Sequence, residues 1–175
     1  MSRPAHVHLR QRLGPSSGRG VVASGAALLV LVVAGCSSTP TIDDADLSGA
    51  DRAACESLVA DLPDTLAGLE RREVEPADAL GAAWGDPAYV LTCGAPEPGD
   101  YEPTAECNVI EGVGWWVPDD QLSDLSEDAT PIALSLRPHV EVSVPADYRT
   151  EGIDQALAEL APALTEHLGE GLSCL

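Results

Sequence analysis

Lysine and phenylalanine are both missing from this sequence, and aromatic side chains make up only 3% of it. Positive charge rests on nine arginines, set against 29 acidic residues, for a net charge of −20. Four of the arginines (Arg3, Arg10, Arg12 and Arg19) lie before residue 36, whereas every acid lies after it. From residue 36 on, five arginines and 29 acids leave a net charge of −24. Such a surface repels DNA, RNA and anionic lipid headgroups, which excludes nucleic-acid binding. The lysine-free, Ala- and Asp-rich composition reads as the codon bias of a GC-rich genome. Other absences bear on catalysis. After residue 35 no serine sits in a G-x-S-x-G pattern, and the only histidines are His139 and His167. Nucleophilic catalysis needs a nucleophile, a base and an orienting group to converge. The pattern supplies no such set, so the expectation is a non-enzyme without a cofactor.

What is present starts with a targeting segment. The four early arginines precede an apolar stretch, Val21 to Ala34, that ends in Val33-Ala34-Gly35-Cys36. A positive start, a short apolar run and small residues at a cut site make a secretory signal. Its 14 apolar or small residues are too few to span a ~30 Å hydrocarbon core comfortably. An aliphatic residue, two small residues and then cysteine resemble the bacterial lipoprotein pattern. Diacylglycerol on the Cys36 sulfur would insert two acyl chains, which anchor stably where one is marginal. The alternatives are an uncleaved anchor, or cleavage without lipid. The expected organisation is a lipoprotein signal peptide over 1–35, a lipidated tether over 36–50 and a single extracytoplasmic domain over 51–175. The mature 140 residues suffice for one domain with a real core. The tether, polar and proline-containing, would reach about 40 Å at ~3.3 Å per residue.

Once Cys36 carries lipid, Cys55, Cys93, Cys107 and Cys174 form an even set in an oxidising compartment, and two disulfides are expected. Three pairings are possible. Cys93–Cys107 is favoured because it closes a short loop rich in proline and glycine, which leaves Cys55–Cys174. A zinc site is the rival reading, but C-x-x-C spacing is missing.

Helical spacing of Cys55, Leu58, Val59 and Leu62 predicts a first helix of about 12 residues, opened by Ser48 with Asp51 three positions on and closed by Pro63. Leu66, Leu69 and Val74 show no clear period, and Arg71-Arg72 reads as a solvated ion-pair site. Strand candidates are Ala88 to Cys93, Asn108 to Val117, and two runs on either side of Pro138, Ile132 to Arg137 and Val140 to Val144. The last element is an amphipathic helix carrying Ile153, Ala156, Leu157, Leu160, Ala161, Leu164 and Leu168 on one face, with Pro162 kinking or restarting it. The expected fold is α+β: a small antiparallel sheet of about four strands between an N-terminal and a C-terminal helix, with two disulfides.

Trp84, Trp115 and Trp116 stand out against the scarcity of aromatics. On a strand, Trp115 and Trp116 point to opposite faces. Either all three fill the core in place of phenylalanine, or one is exposed and stacks on a wall sugar or anchors an interface. The acidic run Asp119, Asp120, Asp124, Glu127 and Asp128 offers oxygen ligands for calcium, but its spacing is not that of an EF-hand, and a solvated loop is the favoured reading. His167 reads as a favourable charge near a helix C-terminus.

Several segments in order, Leu62-Pro63, Ala83-Trp84-Gly85-Asp86-Pro87, Leu91-Thr92-Cys93-Gly94, Gly112-Val113-Gly114-Trp115 and Val140-Glu141-Val142-Ser143-Val144-Pro145, resemble the DUF3515 family of actinobacterial proteins. The resemblance implies a secreted or membrane-anchored envelope protein with no assigned activity, and no site residue carries over from it. The functional expectation is a membrane-anchored, non-catalytic interaction or accessory module of the cell envelope, with an envelope protein as partner. The alternative is a binding module for a wall glycan or peptide near Trp115 and Trp116, or for a cation.

Overall fold

The computed structural model describes residues 38–173, apart from Asp44, Pro103, Glu106, Glu151 and Gly152. The expected signal peptide, the expected lipidation site Cys36 and Cys174 lie outside the described residues.

The first helix forms as its periodicity predicts. α1 spans Gly49–Asp61 after Ser48, buries Cys55 and Leu58, and stops before Pro63. Two short strands follow, β1 (Thr65–Leu66) and β2 (Leu69–Arg72), then β3 (Gly81–Trp84) and β4 (Tyr89–Cys93). β5 (Asn108–Ile110) and β6 (Val113–Trp116) make a hairpin where one strand was expected. Its two turn residues, Glu111 and Gly112, both have positive φ, 47° and 84°, as the tightest hairpin turns require. After α2 (Asp119–Ser123) come β7 (Ile132–Ala133), β8 (Leu136–Arg137), β9 (Val140–Ser143) and the short α3 (Ala146–Arg149). α4 (Asp154–His167) runs through Pro162 as one helix, and β10 (Gly169–Glu170) pairs with β8.

The expectation of about four strands is overturned. Eight strands form one sheet in the order β1-β2-β3-β4-β9-β7-β6-β5, every pair antiparallel. The missed strands are those that sequence patterning reads poorly. β3 is Gly-Ala-Ala-Trp, with all four residues buried. It has no alternation and no β-branched residue, so neither propensity nor period marks it. Its small side chains are what the packing demands. A Cβ on Gly81 would collide with the Leu91 carbonyl oxygen and lie 2.8 Å from Ile42 Cδ1. Gly81→Ala is expected to cost about 2–3 kcal/mol, at the upper end for overpacking a filled core. Urea titration would read this as a lowered midpoint with an unchanged slope.

The cysteine pairing is also corrected. The disulfide defined among the described residues joins Cys55 to Cys93, with sulfurs 2.00 Å apart and Cα atoms 5.7 Å apart. Cys93–Cys107 and Cys55–Cys174 are therefore not the pairs, and among the described residues Cys55–Cys93 stands in place of both. Cys107 carries no free thiol either. Sequence spacing favoured the short loop, but burial decided the partner. Cys55 on the inner face of α1 and Cys93 at the end of β4 are both fully buried in the same core.

The stretch read as a flexible tether is seated on the domain where it is described. Ile42 is buried, and its N–H donates to the Glu75 carbonyl at 2.9 Å. Arg71 and Arg72 are not a solvated pair. Arg71 donates to the Val59 and Leu62 carbonyls at the end of α1 and lies 5.9 Å from the Trp84 ring centroid. Arg72 donates to the carbonyls of Gly85 and Ser38.

α1 and α4 pack on each other, and α4 reaches both edges of the sheet, β1 and β5. Glu159 on α4 accepts the backbone N–H of Ala67, in the β1–β2 turn, at 2.7 Å. Most of the apolar core lies between these helices and the sheet. A smaller cluster of Trp116, Ile132 and Leu134 gathers Tyr101, Ala105, Cys107 and Leu172 around it.

Candidate functional site

The two adjacent tryptophans of β6 organise one end of the sheet. Strand alternation sends them to opposite faces. Trp115 joins the main core beneath α4, and Trp116 joins the smaller cluster. Tyr101 meets Trp116 edge-on, with ring centroids 6.2 Å apart. Neither indole is open for stacking on a sugar ring: Trp115 is 0% exposed and Trp116 6%. Trp84, also 0% exposed, sits away from this end on β3 and donates from Nε1 to the Pro63 carbonyl at 2.9 Å. All three tryptophans thus fill the interior in place of the absent phenylalanine.

Each tryptophan of β6 nevertheless lines a concavity. Beside Trp116 lies an open cleft of about 690 Å³, bordered by Asp100, Glu102, Asp119, Asp120, Asn108 and Leu122. Beside Trp115 lies a smaller one of about 260 Å³, walled by Ile110, Val117, Leu122, Leu125, Ile153 and Leu157. Asn108 and Leu122 belong to both, so the concavities flank β5 and α2. Exposed large hydrophobics among the described residues are Val109 at 66%, Leu122 at 50% and Leu125 at 50%. They concentrate at this same end of the fold. β5 is the outermost strand there, paired with β6 on one side only, which leaves backbone groups on its other side for a further strand.

Arg149 ties this region together. It is buried to 7% exposure at the end of α3. Nη1 donates to the Glu127 carbonyl at 3.0 Å and Nη2 to the Gln121 carbonyl. The guanidinium therefore pins both the end of α2 and the acidic loop after it. Asp124 in that loop is held below the ordinary carboxylate value. The Ser126 hydroxyl does most of this, the Ser126 N–H adds to it, and the Arg149 charge contributes as well. Elsewhere, burial on β9 pushes Glu141 above the ordinary value.

The histidines are placed apart in role. His139 is buried and donates from Nδ1 to the Leu136 carbonyl at 2.7 Å, while its Nε2 meets no partner. His167, in the last turn of α4, lies 3.2 Å from Asp61 on α1. No three metal-ligating side chains converge among the described residues, and the acids of the 119–128 run are solvent-exposed, Asp124 accepting from Ser126. No described helix is long and apolar enough to cross a membrane.

The sequence pointed to Trp115, Trp116 and the acidic run but missed Arg149, Asn108 and Asp154. A lone arginine ending a short helix carries no local pattern. Only the fold shows that it is buried beside a cavity.

These features define a class: an antiparallel sheet backed by two helices, with an apolar and acidic end at one edge. The family model of DUF3515, a protein of unknown function, matches residues 21–171. The chain belongs to that family. No curated protein and no solved structure matches it.

Proposed function

We propose that this domain is a non-catalytic interaction module of the cell envelope, held at the outer face of the membrane by lipid on Cys36. Its docking surface is the β5 edge with the neighbouring cleft, and its partner is a protein offering an extended, basic segment. The observation that carries this reading is the concentration of exposed Val109, Leu122 and Leu125 beside four carboxylates of one cleft. An edge strand supplies main-chain pairing to an added strand. Apolar side chains supply affinity, and Asp100, Glu102, Asp119 and Asp120 select positive charge. Among the described residues, no basic one lines that cleft.

The test uses the full lipidated chain in living cells, with a photo-cross-linking residue at Val109. A discrete protein adduct is expected, mapped to a segment containing lysine or arginine. Charge reversal by Asp119→Lys with Asp120→Lys should abolish it. An equal yield from a probe at Glu70, on the far side of the sheet, would overturn the reading, as would indifference to charge reversal. In the same cells, Cys36→Ser should move the protein from the membrane fraction to the medium, and retention on the membrane would sink the anchor.

A further inference from the structure

The concavity beside Trp115 has a chemistry that docking of a basic strand does not use. Its walls are aliphatic, yet it carries one charge of each sign, Arg149 and Asp154. Neither forms an ion pair with the other or with any described residue. Arg149 spends Nη1 and Nη2 on backbone carbonyls, and among the described residues its positive charge meets no carboxylate at contact distance. Asp154 is exposed in the first turn of α4. The indole N–H of Trp115 is buried and has no acceptor. A buried donor left unmade costs about 1–3 kcal/mol, so such a group calls for an explanation. Asn108, on the rim, adds an amide that both donates and accepts.

We infer that this cavity binds a free hydrophobic α-amino acid. The ligand's carboxylate would take the Trp115 N–H and the Arg149 guanidinium, and its ammonium would face Asp154. Its side chain would lie against Ile110, Val117, Leu122, Leu125 and Leu157. Three arguments select this ligand class. The volume of about 260 Å³ falls just below the range of about 300–1,000 Å³ usual for drug-sized ligands. The charges come as an opposed pair, which matches a zwitterion and leaves a simple anion facing Asp154. A zwitterion also has no net charge, so the strongly acidic surface does not repel it on approach. Leu122 and Leu125, half exposed on α2 and just beyond it, are the side chains that must shift to admit it.

L-Leucine is the probe, titrated calorimetrically into the full-length protein. Matched controls are 4-methylpentanoate, which lacks the ammonium, and 3-methylbutylamine, which lacks the carboxylate. Saturable binding of leucine is expected at micromolar to millimolar concentration, at least tenfold tighter than either control. In proton–nitrogen correlation spectra the Trp115 indole signal should move on binding, and that of Trp84, already bonded to Pro63, should not. Asp154→Asn lies on the surface, so the fold should survive it, and it should weaken leucine at least tenfold while leaving 4-methylpentanoate unaffected or improved. Leu125→Trp should block all three compounds. Equal binding of leucine and 4-methylpentanoate would overturn the inference. So would an Asp154→Asn variant that binds leucine normally, or a Trp115 signal that stays still at saturation.

Discussion

Replacing Cys55 and Cys93 together by alanine is expected to lower the melting temperature by about 10–15 °C. The bridge closes a loop of 38 residues, for which the chain-entropy model gives about 4 kcal/mol. In a domain of this size each kcal/mol shifts the midpoint by about 3–4 °C. The bond also has a position that magnifies its effect. It joins α1 to β4, an inner strand of the sheet, so its loss frees the helix from the surface it packs on. Calorimetry on the double variant, beside the native protein with and without reductant, measures this. Reduction of the native protein should lower the midpoint at least as far as the variant's, because reductant also opens the bridge that Cys107 makes. Coincident melting of oxidised and reduced protein would show that packing alone fixes α1.

A comparable loss is expected from Trp84→Ala. Phe or Trp to Ala in a core costs about 3–5 kcal/mol. Here the indole is fully buried, donates to the Pro63 carbonyl and lies under the Arg71 guanidinium. Removing the ring also withdraws the surface that positions Arg71 against the last carbonyls of α1. Trp84→Phe separates the contributions. It keeps a ring but forfeits the hydrogen bond, and should cost about 1–2 kcal/mol, the net worth of such a bond plus a small void. Equilibrium denaturation of both variants gives the two numbers. If Trp84→Phe were as damaging as Trp84→Ala, the hydrogen bond and not the packing would carry the site.

The parts of the fold legible in the sequence are those where one physical signal dominates. α1 and α4 were readable because apolar residues recur at helical spacing and Pro63 closes the first of them. β4 and β9 were readable because one face is buried and the other partly open, giving alternation. β1, β2 and β3 were not. β1 has two residues, β2 ends in two arginines, and β3 is buried on both faces with side chains too small to announce a strand. The β5–β6 hairpin was blurred because Glu-Gly is a weaker turn signal than Asn-Gly or Asp-Gly. At the candidate site, the tryptophans drew attention by rarity, but their exposure was a question of tertiary cover. The Arg149–Asp154 pair was invisible because what distinguishes it is the absence of a bond between them, which no one-dimensional pattern records.

One helix spanning both borders of the sheet has a consequence for the order in which the molecule can be made. Ala67 must wait for Glu159, 92 residues later in the chain, before its N–H finds a partner. A ribosome delivers β1 and β5 long before α4, so for much of synthesis the sheet has two open borders and an uncovered apolar face. Such borders pair readily with those of another nascent copy. A chain with 29 acids and nine arginines carries its own safeguard in that interval. Mutual repulsion holds unfinished copies apart until the final helix draws the two borders onto itself.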